Sequence, residues 1–228
     1  MNDLTSAALA KFIDHTFLKA DATSRDIEKL CDEAREHRFF SVCVNGSRVR
    51  EAKRLLERST VRVAGVVGFP LGAMNSAAKR AETETVIDRG ADEIDVVMNI
   101  GKLKDGDRAG VLRDLRQVVI GASGQVVKVI LETCLLGREE KILACKLAVE
   151  SGVQFVKTST GFSSGGATVE DVQLMRETVG PEFGVKASGG IRDTATALAM
   201  VRAGATRLGT SSGVAIVRDL AASGSADY

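Results

Sequence analysis

The sequence lacks the features that would mark a membrane or secreted protein. None of its 228 residues fall in an apolar run approaching about 18 residues, so we expect no membrane-spanning helix. The first residues, MNDLTSAALAKF, contain no basic leader followed by an apolar core, which argues against a secretory signal. We therefore expect a cytoplasmic protein that does not bind membranes.

Cysteine and histidine are also scarce, and the net charge is close to zero. The four cysteines have no CxxC spacing, so we expect reduced thiols rather than disulfides. The only histidines, His15 and His37, are not spaced as metal ligands, so we expect no dedicated metal site. Lysine and arginine total 31 against 30 acidic residues, without a basic stripe interleaved with aromatics, so nucleic acid is not an expected partner.

The chain instead shows a regular alternation of two kinds of segment. Short apolar runs predict eight strands, at residues 12–16, 39–44, 61–67, 94–98, 126–132, 155–158, 185–188 and 207–209. Amphipathic stretches, whose apolar residues recur every three or four positions, predict helices at 24–37, 48–57, 77–89, 108–119, 139–151, 169–178 and 194–202.

Strands that are apolar on both faces and alternate with helices indicate a parallel sheet covered on all sides. Eight such strands close a (β/α)8 TIM barrel, and we predict this α/β fold as one domain over residues 1–228, with 218–228 as a flexible tail. An open doubly wound sheet is the alternative, which the absence of a GxGxxG or Walker loop after the first strand disfavours.

Two lysines lie at predicted strand ends, where TIM barrels carry their chemistry. Lys157 and Lys186 lie in neighbouring strands, so their amines should converge at roughly 5–7 Å. At about 6 Å and an effective dielectric near 20, their repulsion is on the order of 3 kcal/mol, or about two pKa units, and burial acts in the same direction. We predict that one lysine is neutral near pH ~7–8 and attacks a carbonyl, while the other stays protonated and Asp95 exchanges protons through water.

A structural ion pair is the other interpretation of a lysine in such a strand. Lys128 lies in the middle of the fifth strand, on the predicted face of Glu132, and no glycine-rich loop follows it at once. We predict that Lys128 forms a structural ion pair.

Glycine-rich loops follow the seventh and eighth strands. KASGGIRD (186–193) and GTSSGVAIV (209–217) each lead into a helix, which is where barrels of this type bind phosphate. Glycine lets backbone N–H groups approach a ligand closely, and a helix start adds partial positive charge. The loops therefore predict phosphate binding, with Ser188, Ser211 and Ser212 as further donors.

Six motifs together resemble one known family. FIDHTFLKADAT, VVGFPLG, EIDVVMNIG, VKVILET, FVKTSTGF and VKASGGI are similar, in this order, to the motif series of the deoxyribose-phosphate aldolases. The resemblance extends from residue 12 to about residue 217. It implies a class I aldolase that reversibly cleaves 2-deoxy-D-ribose 5-phosphate into acetaldehyde and D-glyceraldehyde 3-phosphate, without a metal or another cofactor.

The resemblance also implies residue roles. Lys157 would form the Schiff base, with Lys186 as the second lysine. Asp95 would donate or accept protons, and Asp14 would orient Lys186. The residues implied in phosphate binding are Gly161, Gly189, Gly190, Ser211 and Ser212.

Two positions differ among members of the family. Phe162 stands where some members carry a lysine that helps to hold the phosphate. Tyr228, the only tyrosine and the last residue, matches a terminal tyrosine that aids proton transfer in some members; an inert chain end is the alternative.

Two other functions remain compatible with the lysine pair and the loops. One is another Schiff-base sugar-phosphate aldolase, such as a transaldolase-like enzyme. The other is a non-catalytic barrel that binds a phosphorylated metabolite. If the protein is the predicted aldolase, its partners are a small sugar phosphate and an aldehyde. Other barrel families suggest a homodimer.

Overall fold

Eight parallel strands close into a barrel in the order in which they occur along the chain. The structure is a computed structural model, and it describes residues 4–224. The strands are β1 Ile13–Phe17, β2 Ser41–Asn45, β3 Arg62–Val67, β4 Glu93–Val97, β5 Val126–Ile130, β6 Phe155–Lys157, β7 Gly184–Ser188 and β8 Arg207–Thr210. Because β8 pairs with β1, the barrel has no free edge, and the predicted TIM barrel is confirmed.

The described residues include ten α-helices, and each predicted helix corresponds to one of them. The helices are α1 Ser6–Ala10, α2 Ser24–Glu36, α3 Val49–Leu55, α4 Ser76–Asp88, α5 Ile100–Lys104, α6 Arg108–Gly121, α7 Arg138–Ser151, α8 Val169–Val179, α9 Thr194–Arg202 and α10 Gly213–Gly224. Within residues 4–224, no helix has both the length and the apolar character needed to cross a membrane.

Side-chain oxygens cap most helix starts. In each case the oxygen of the preceding residue accepts a hydrogen bond from the backbone N–H three residues later, which satisfies an otherwise unpaired donor. The capping residues are Thr5, Thr23, Asn75, Asn99, Asp107, Thr168 and Asp193.

The sequence pattern missed three helices. Helices α1 and α5 have five residues each, too few to show a helical period. Helix α10 begins inside the glycine-rich loop after β8 and continues through residues 218–224, which the sequence analysis assigned to a tail. Residues 225–228 lie outside the described part of the chain.

The main apolar core lies between the strands and the surrounding helices. Buried side chains of α2 and α6, such as Ile27, Leu30, Leu115 and Val118, belong to it. The barrel interior is different, because charged side chains from strands that are not neighbours meet there. Their composition suggested that the strands are apolar on both faces, and this expectation is wrong for the face inside the barrel.

A buried ion pair joins two helices to the strand β4. The Lys79 amine on α4 donates to the Asp114 carboxylate on α6 at 2.6 Å and to the Val97 carbonyl at 2.8 Å. Both side chains are buried, at 0% and 1% exposure. Burial lowers the pKa of Lys79, and the charge of Asp114 offsets part of this effect.

We predict that Lys79→Met lowers the free energy of unfolding by about 3–5 kcal/mol, because it leaves the buried Asp114 carboxylate without its cation. Urea denaturation measures this change. The control is Lys53→Met, which breaks an exposed pair with Asp92 and should cost about 1 kcal/mol or less. Equal losses of unfolding free energy in the two variants would contradict the larger contribution expected of the buried pair.

Candidate active site

The structure brings the two lysine amines together at the ends of adjacent strands. Lys157 on β6 and Lys186 on β7 are register partners. Both amines donate to the same oxygen, Oδ2 of Asp95, at 2.9 and 2.8 Å. The amines therefore lie no more than about 5.7 Å apart, the sum of those two distances.

Asp95 is the shared partner of a third lysine as well. The Lys128 amine on β5 donates to the other oxygen, Oδ1, at 2.6 Å. Burial by itself would raise the pKa of Asp95, but the charges of the three lysines outweigh burial and hold that pKa well below its ordinary value. Asp95 is therefore ionised, and it links β4 to three other strands across the barrel.

Asp14 on β1 is a second buried carboxylate beside the lysines. It accepts hydrogen bonds from the Lys186 amine, from Arg207 at 2.9 Å and from the Ser41 hydroxyl at 2.6 Å. Burial acts to raise the pKa of Asp14, whereas the charges of Lys186, Arg207 and Lys128 outweigh it and lower that pKa below its ordinary value. The aspartate suggested by the family resemblance thus lies in contact with Lys186.

Lys186 is fully buried and contacts both carboxylates. Burial acts to lower its pKa, but the charges of Asp14 and Asp95 outweigh burial and raise that pKa above its ordinary value. Gly209 on β8 leaves room for this side chain, since a Cβ there would lie 3.0 Å from Lys186 Cε. Lys186 is therefore held as a cation.

A further layer of charge, which the sequence analysis missed, lies beneath these residues. Glu93 on β4 accepts from Lys128 at 2.7 Å and from Arg207 at 3.1 Å. The Arg207 guanidinium lies 3.4 Å from the centroid of the Phe40 ring. The available signal was the two-residue strand period, which places Glu93 on the same face as Asp95.

Lys128 forms ion pairs, but with other partners than its strand neighbour Glu132. Its amine contacts Asp95 and Glu93. Strand β5 ends at Ile130, and Glu132 has a left-handed backbone, with φ 56° and ψ 63°. The two-residue alternation therefore does not extend from Lys128 to Glu132, and Lys128 belongs to the charged cluster of the site.

A cavity of about 330 Å³ opens at the carboxyl ends of the strands. Of the three clustered lysines, all within the described residues, only Lys157 lines it. The loops after β1, β6, β7 and β8 supply the other walls. The cavity therefore gives a small molecule access to the Lys157 amine.

The predicted phosphate-binding glycines lie along this cavity. Gly161, Gly189 and Gly190 all have positive φ, at 84°, 85° and 81°. A Cβ on Gly189 would lie 3.0 Å from the Cα of Gly166, so the two loops approach closely. These backbone conformations favour glycine and leave N–H groups near the cavity.

The three predicted serines differ in position. Ser188 and Ser211 line the cavity, and the Ser188 hydroxyl already donates to the Ser159 carbonyl. Ser212 lines a neighbouring cavity of about 610 Å³, which Ser211 also borders. The backbone N–H of Ser212 donates to the Thr210 hydroxyl at 2.9 Å. Its N–H is therefore already engaged within the loop.

Two cations and the aromatic side chain of Phe162 complete the wall. Lys19 and Arg192 are exposed and line the cavity, and neither was predicted from the sequence as a site residue. Phe162 is half exposed and packs edge-on against Phe69, with ring centroids 5.2 Å apart. Positive charge is thus present although Phe162 stands in the place of a lysine.

One predicted residue lies outside the described residues, and a buried cysteine lies near the lysine pair without lining the cavity. Tyr228 is among the residues that the structure does not describe. Cys43 is buried in a small apolar cluster with Leu18, Ala64 and Val66, and burial followed by the charge of Asp95 raises the pKa of its thiol. No group of three or more potential metal ligands occurs within residues 4–224.

Comparisons with known proteins agree on one family. The DeoC/LacD family aldolase profile matches residues 8–222. The chain is 64% identical to a deoxyribose-phosphate aldolase of Alkaliphilus oremlandii, over 92% of this chain and 96% of that one. A relative of the same name from Brevibacillus brevis is 59% identical, over 94% and 97%. The tetrameric deoxyribose phosphate aldolase of Aeropyrum pernix superposes with a TM-score of 0.88 and 34% identity, covering 94% of this chain and 92% of that one.

We predict that acid narrows the stability difference between the wild type and Asp14→Asn. The folded protein lowers the pKa of Asp14, so below about pH 3.9 the unfolded chain binds a proton that the folded chain does not. The stabilisation by the Asp14 charge is therefore complete above that pH and is lost at about 1.4 kcal/mol per pH unit below it. Urea unfolding between pH ~6 and ~3 measures the difference, and a constant difference would contradict the prediction.

Proposed function

The chain belongs to the DeoC/LacD family of aldolases, and we propose that Lys157 is the residue on which its substrate forms a Schiff base. The activity is that of a class I aldolase, which reversibly cleaves 2-deoxy-D-ribose 5-phosphate into acetaldehyde and D-glyceraldehyde 3-phosphate. The relatives' shared name and high identity favour this activity over another sugar-phosphate aldolase or a non-catalytic barrel.

The observation that carries the choice of Lys157 is its access to the cavity. Its amine contacts one carboxylate, Asp95, and its side chain reaches the cavity wall. Lys186 and Lys128 are fully buried, and each contacts at least two carboxylates. A nucleophile must reach the substrate and give up its proton, and Lys157 meets the first condition best.

The charge balance of the cluster supports the second condition. Among the described residues, the buried cluster contains the basic side chains Lys128, Lys157, Lys186 and Arg207 and the carboxylates Asp14, Glu93 and Asp95. Four cations would exceed three anions by one charge, which burial makes unfavourable. Lys157 is the member of the cluster with the fewest carboxylate contacts, so neighbouring anions hold its charge least.

This arrangement gives each group a step in the reaction. The neutral Lys157 amine attacks C1 of the open-chain sugar to give a carbinolamine, which loses water to form an iminium ion. Removal of the proton from the C3 hydroxyl breaks the C2–C3 bond; the electrons flow into the iminium, giving an enamine and glyceraldehyde 3-phosphate. Protonation of the enamine at C2 and addition of water release acetaldehyde and the free amine. We propose that Asp95, which contacts Lys157, passes these protons through water while Lys186 remains a cation.

We propose that the substrate phosphate binds along the glycine loops. The backbones of Gly161, Gly189 and Gly190 and the residue Ser211 line the same cavity as Lys157. Lys19 and Arg192 supply positive charge there, in the absence of a lysine at residue 162. Ser212 can contribute only through its hydroxyl, because its N–H is engaged by Thr210.

Three further expectations remain proposals. The four cysteines are free, which supports a reducing compartment such as the cytoplasm. A homodimer is proposed from other barrel families. Tyr228 is proposed to aid protonation of the enamine, on the basis of the family resemblance alone.

We predict that borohydride reduction in the presence of acetaldehyde leaves an ethyl group on Lys157. Peptide mass mapping identifies the modified residue. Lys157→Arg should abolish the modification, because an arginine forms no such imine, whereas Lys53→Arg, at an exposed surface position, should be labelled like the wild type. A label that maps to another lysine in the wild type would refute the assignment of Lys157.

A further inference from the structure

Glu132 is a buried carboxylate that the mechanism above does not use. Its residue is 3% exposed, and among the described residues no cation pairs with it. It also has a left-handed backbone, with φ 56°, two residues after the buried end of β5. A residue other than glycine in this conformation is strained, and such strain concentrates at functional sites.

Both carboxylate oxygens of Glu132 accept hydrogen bonds from Thr160, which lies in the loop after β6, the strand that carries Lys157. Oε1 accepts from the Thr160 backbone N–H at 3.3 Å, and Oε2 accepts from the Thr160 hydroxyl. The oxygen of that hydroxyl in turn accepts from the Phe162 N–H at 3.0 Å. Glu132 therefore fixes the residues on both sides of Gly161.

A carboxylate suits this place because it only accepts hydrogen bonds. The Thr160 hydroxyl must then donate to Glu132, which leaves its oxygen to accept from Phe162. A neutral amide in place of Glu132 could instead donate a hydrogen bond to the Thr160 hydroxyl oxygen, and the hydroxyl would then no longer donate to residue 132. The acid thus sets the direction of the hydrogen bond that the Thr160 hydroxyl makes.

The backbone N–H of Gly161, between Thr160 and Phe162, takes no part in these hydrogen bonds. Within the described residues no acceptor pairs with it, whereas the N–H groups of Thr160 and Phe162 are both engaged. Gly161 lines the cavity, and a Cβ there would meet no atom within 4 Å. Its positive φ is therefore not imposed by crowding, and hydrogen bonds on either side hold the loop.

The opposite side of this loop is also fixed to its neighbours. The Thr158 hydroxyl exchanges hydrogen bonds with the backbone of Ser188, at 3.0 Å each way. The Thr158 carbonyl accepts from the Thr133 N–H at 3.0 Å. Thr158 therefore orders the start of the loop, and Glu132 orders the part that reaches Gly161.

We propose that Glu132 is a positioning residue that aims the Gly161 N–H at the phosphate of the substrate, and so sets the preference for phosphorylated over unphosphorylated sugar. The inference rests on the proposed phosphate position along the glycine loops. It differs from a role in carbon–carbon cleavage, because Glu132 contacts none of the three lysines.

The test compares kcat/KM for 2-deoxyribose 5-phosphate and for unphosphorylated 2-deoxyribose. In Glu132→Gln and in Thr160→Val the ratio of the two values should fall about tenfold, the effect of one misdirected hydrogen bond to a charged group. Inhibition by inorganic phosphate should weaken by a similar factor. Thr160→Ser, which keeps the hydroxyl, should restore the wild-type ratio.

Each alternative outcome has a definite meaning. A wild-type ratio in both Glu132→Gln and Thr160→Val overturns the positioning role, as does an equal loss with both sugars, which would indicate general damage to the barrel. If the wild type does not prefer the phosphorylated sugar and inorganic phosphate does not inhibit it, the phosphate site itself is wrong. Thermal unfolding of each variant checks that it is folded.

Discussion

The carboxylate of Asp95, shared by three lysine amines, is the interaction on which the site depends. An ionised group that is removed from water without a partner loses several kcal/mol, so the charges inside this barrel are stable only as a connected cluster. Asp95 occupies the junction, because one oxygen binds Lys128 and the other binds both Lys157 and Lys186. Closure of the barrel brings these strands together, and the cluster in turn ties their carboxyl ends to one another.

The same cluster makes two chemically similar lysines unequal. Lys186 lies between Asp14 and Asp95, away from the cavity, so it remains charged. Lys157 contacts one carboxylate and reaches the cavity, so it is the amine that a substrate carbonyl can meet. The division of roles follows from position and from the number of carboxylate contacts, and both are set by the barrel rather than by the lysines themselves.

The fold and the lysine pair could be predicted from the sequence because they rest on periodicity. Eight apolar runs of strand length fix the barrel, and the adjacency of the sixth and seventh strands fixes the pairing of Lys157 with Lys186. What the pattern could not supply were partners that are remote in sequence, such as Arg207 for Asp14. The left-handed backbone of Glu132 could not be predicted for a related reason, because strand alternation does not reveal where a strand ends. The alternation therefore placed Lys128 on the face of Glu132, whereas its amine pairs with Asp95.

The most direct test of this account is the pH dependence of imine formation with acetaldehyde in three proteins: the wild type, Lys186→Met and Asp95→Asn. Removal of the Lys186 charge should move the midpoint of the profile upward by about one to two pH units, because less repulsion acts on the proton of the nucleophile. Removal of the Asp95 charge should move the midpoint downward, because the cations lose their shared anion. Shifts in opposite directions are the predicted result. Identical profiles in the three proteins, or shifts in the same direction, would contradict the claim that the charge of this cluster selects the reactive lysine.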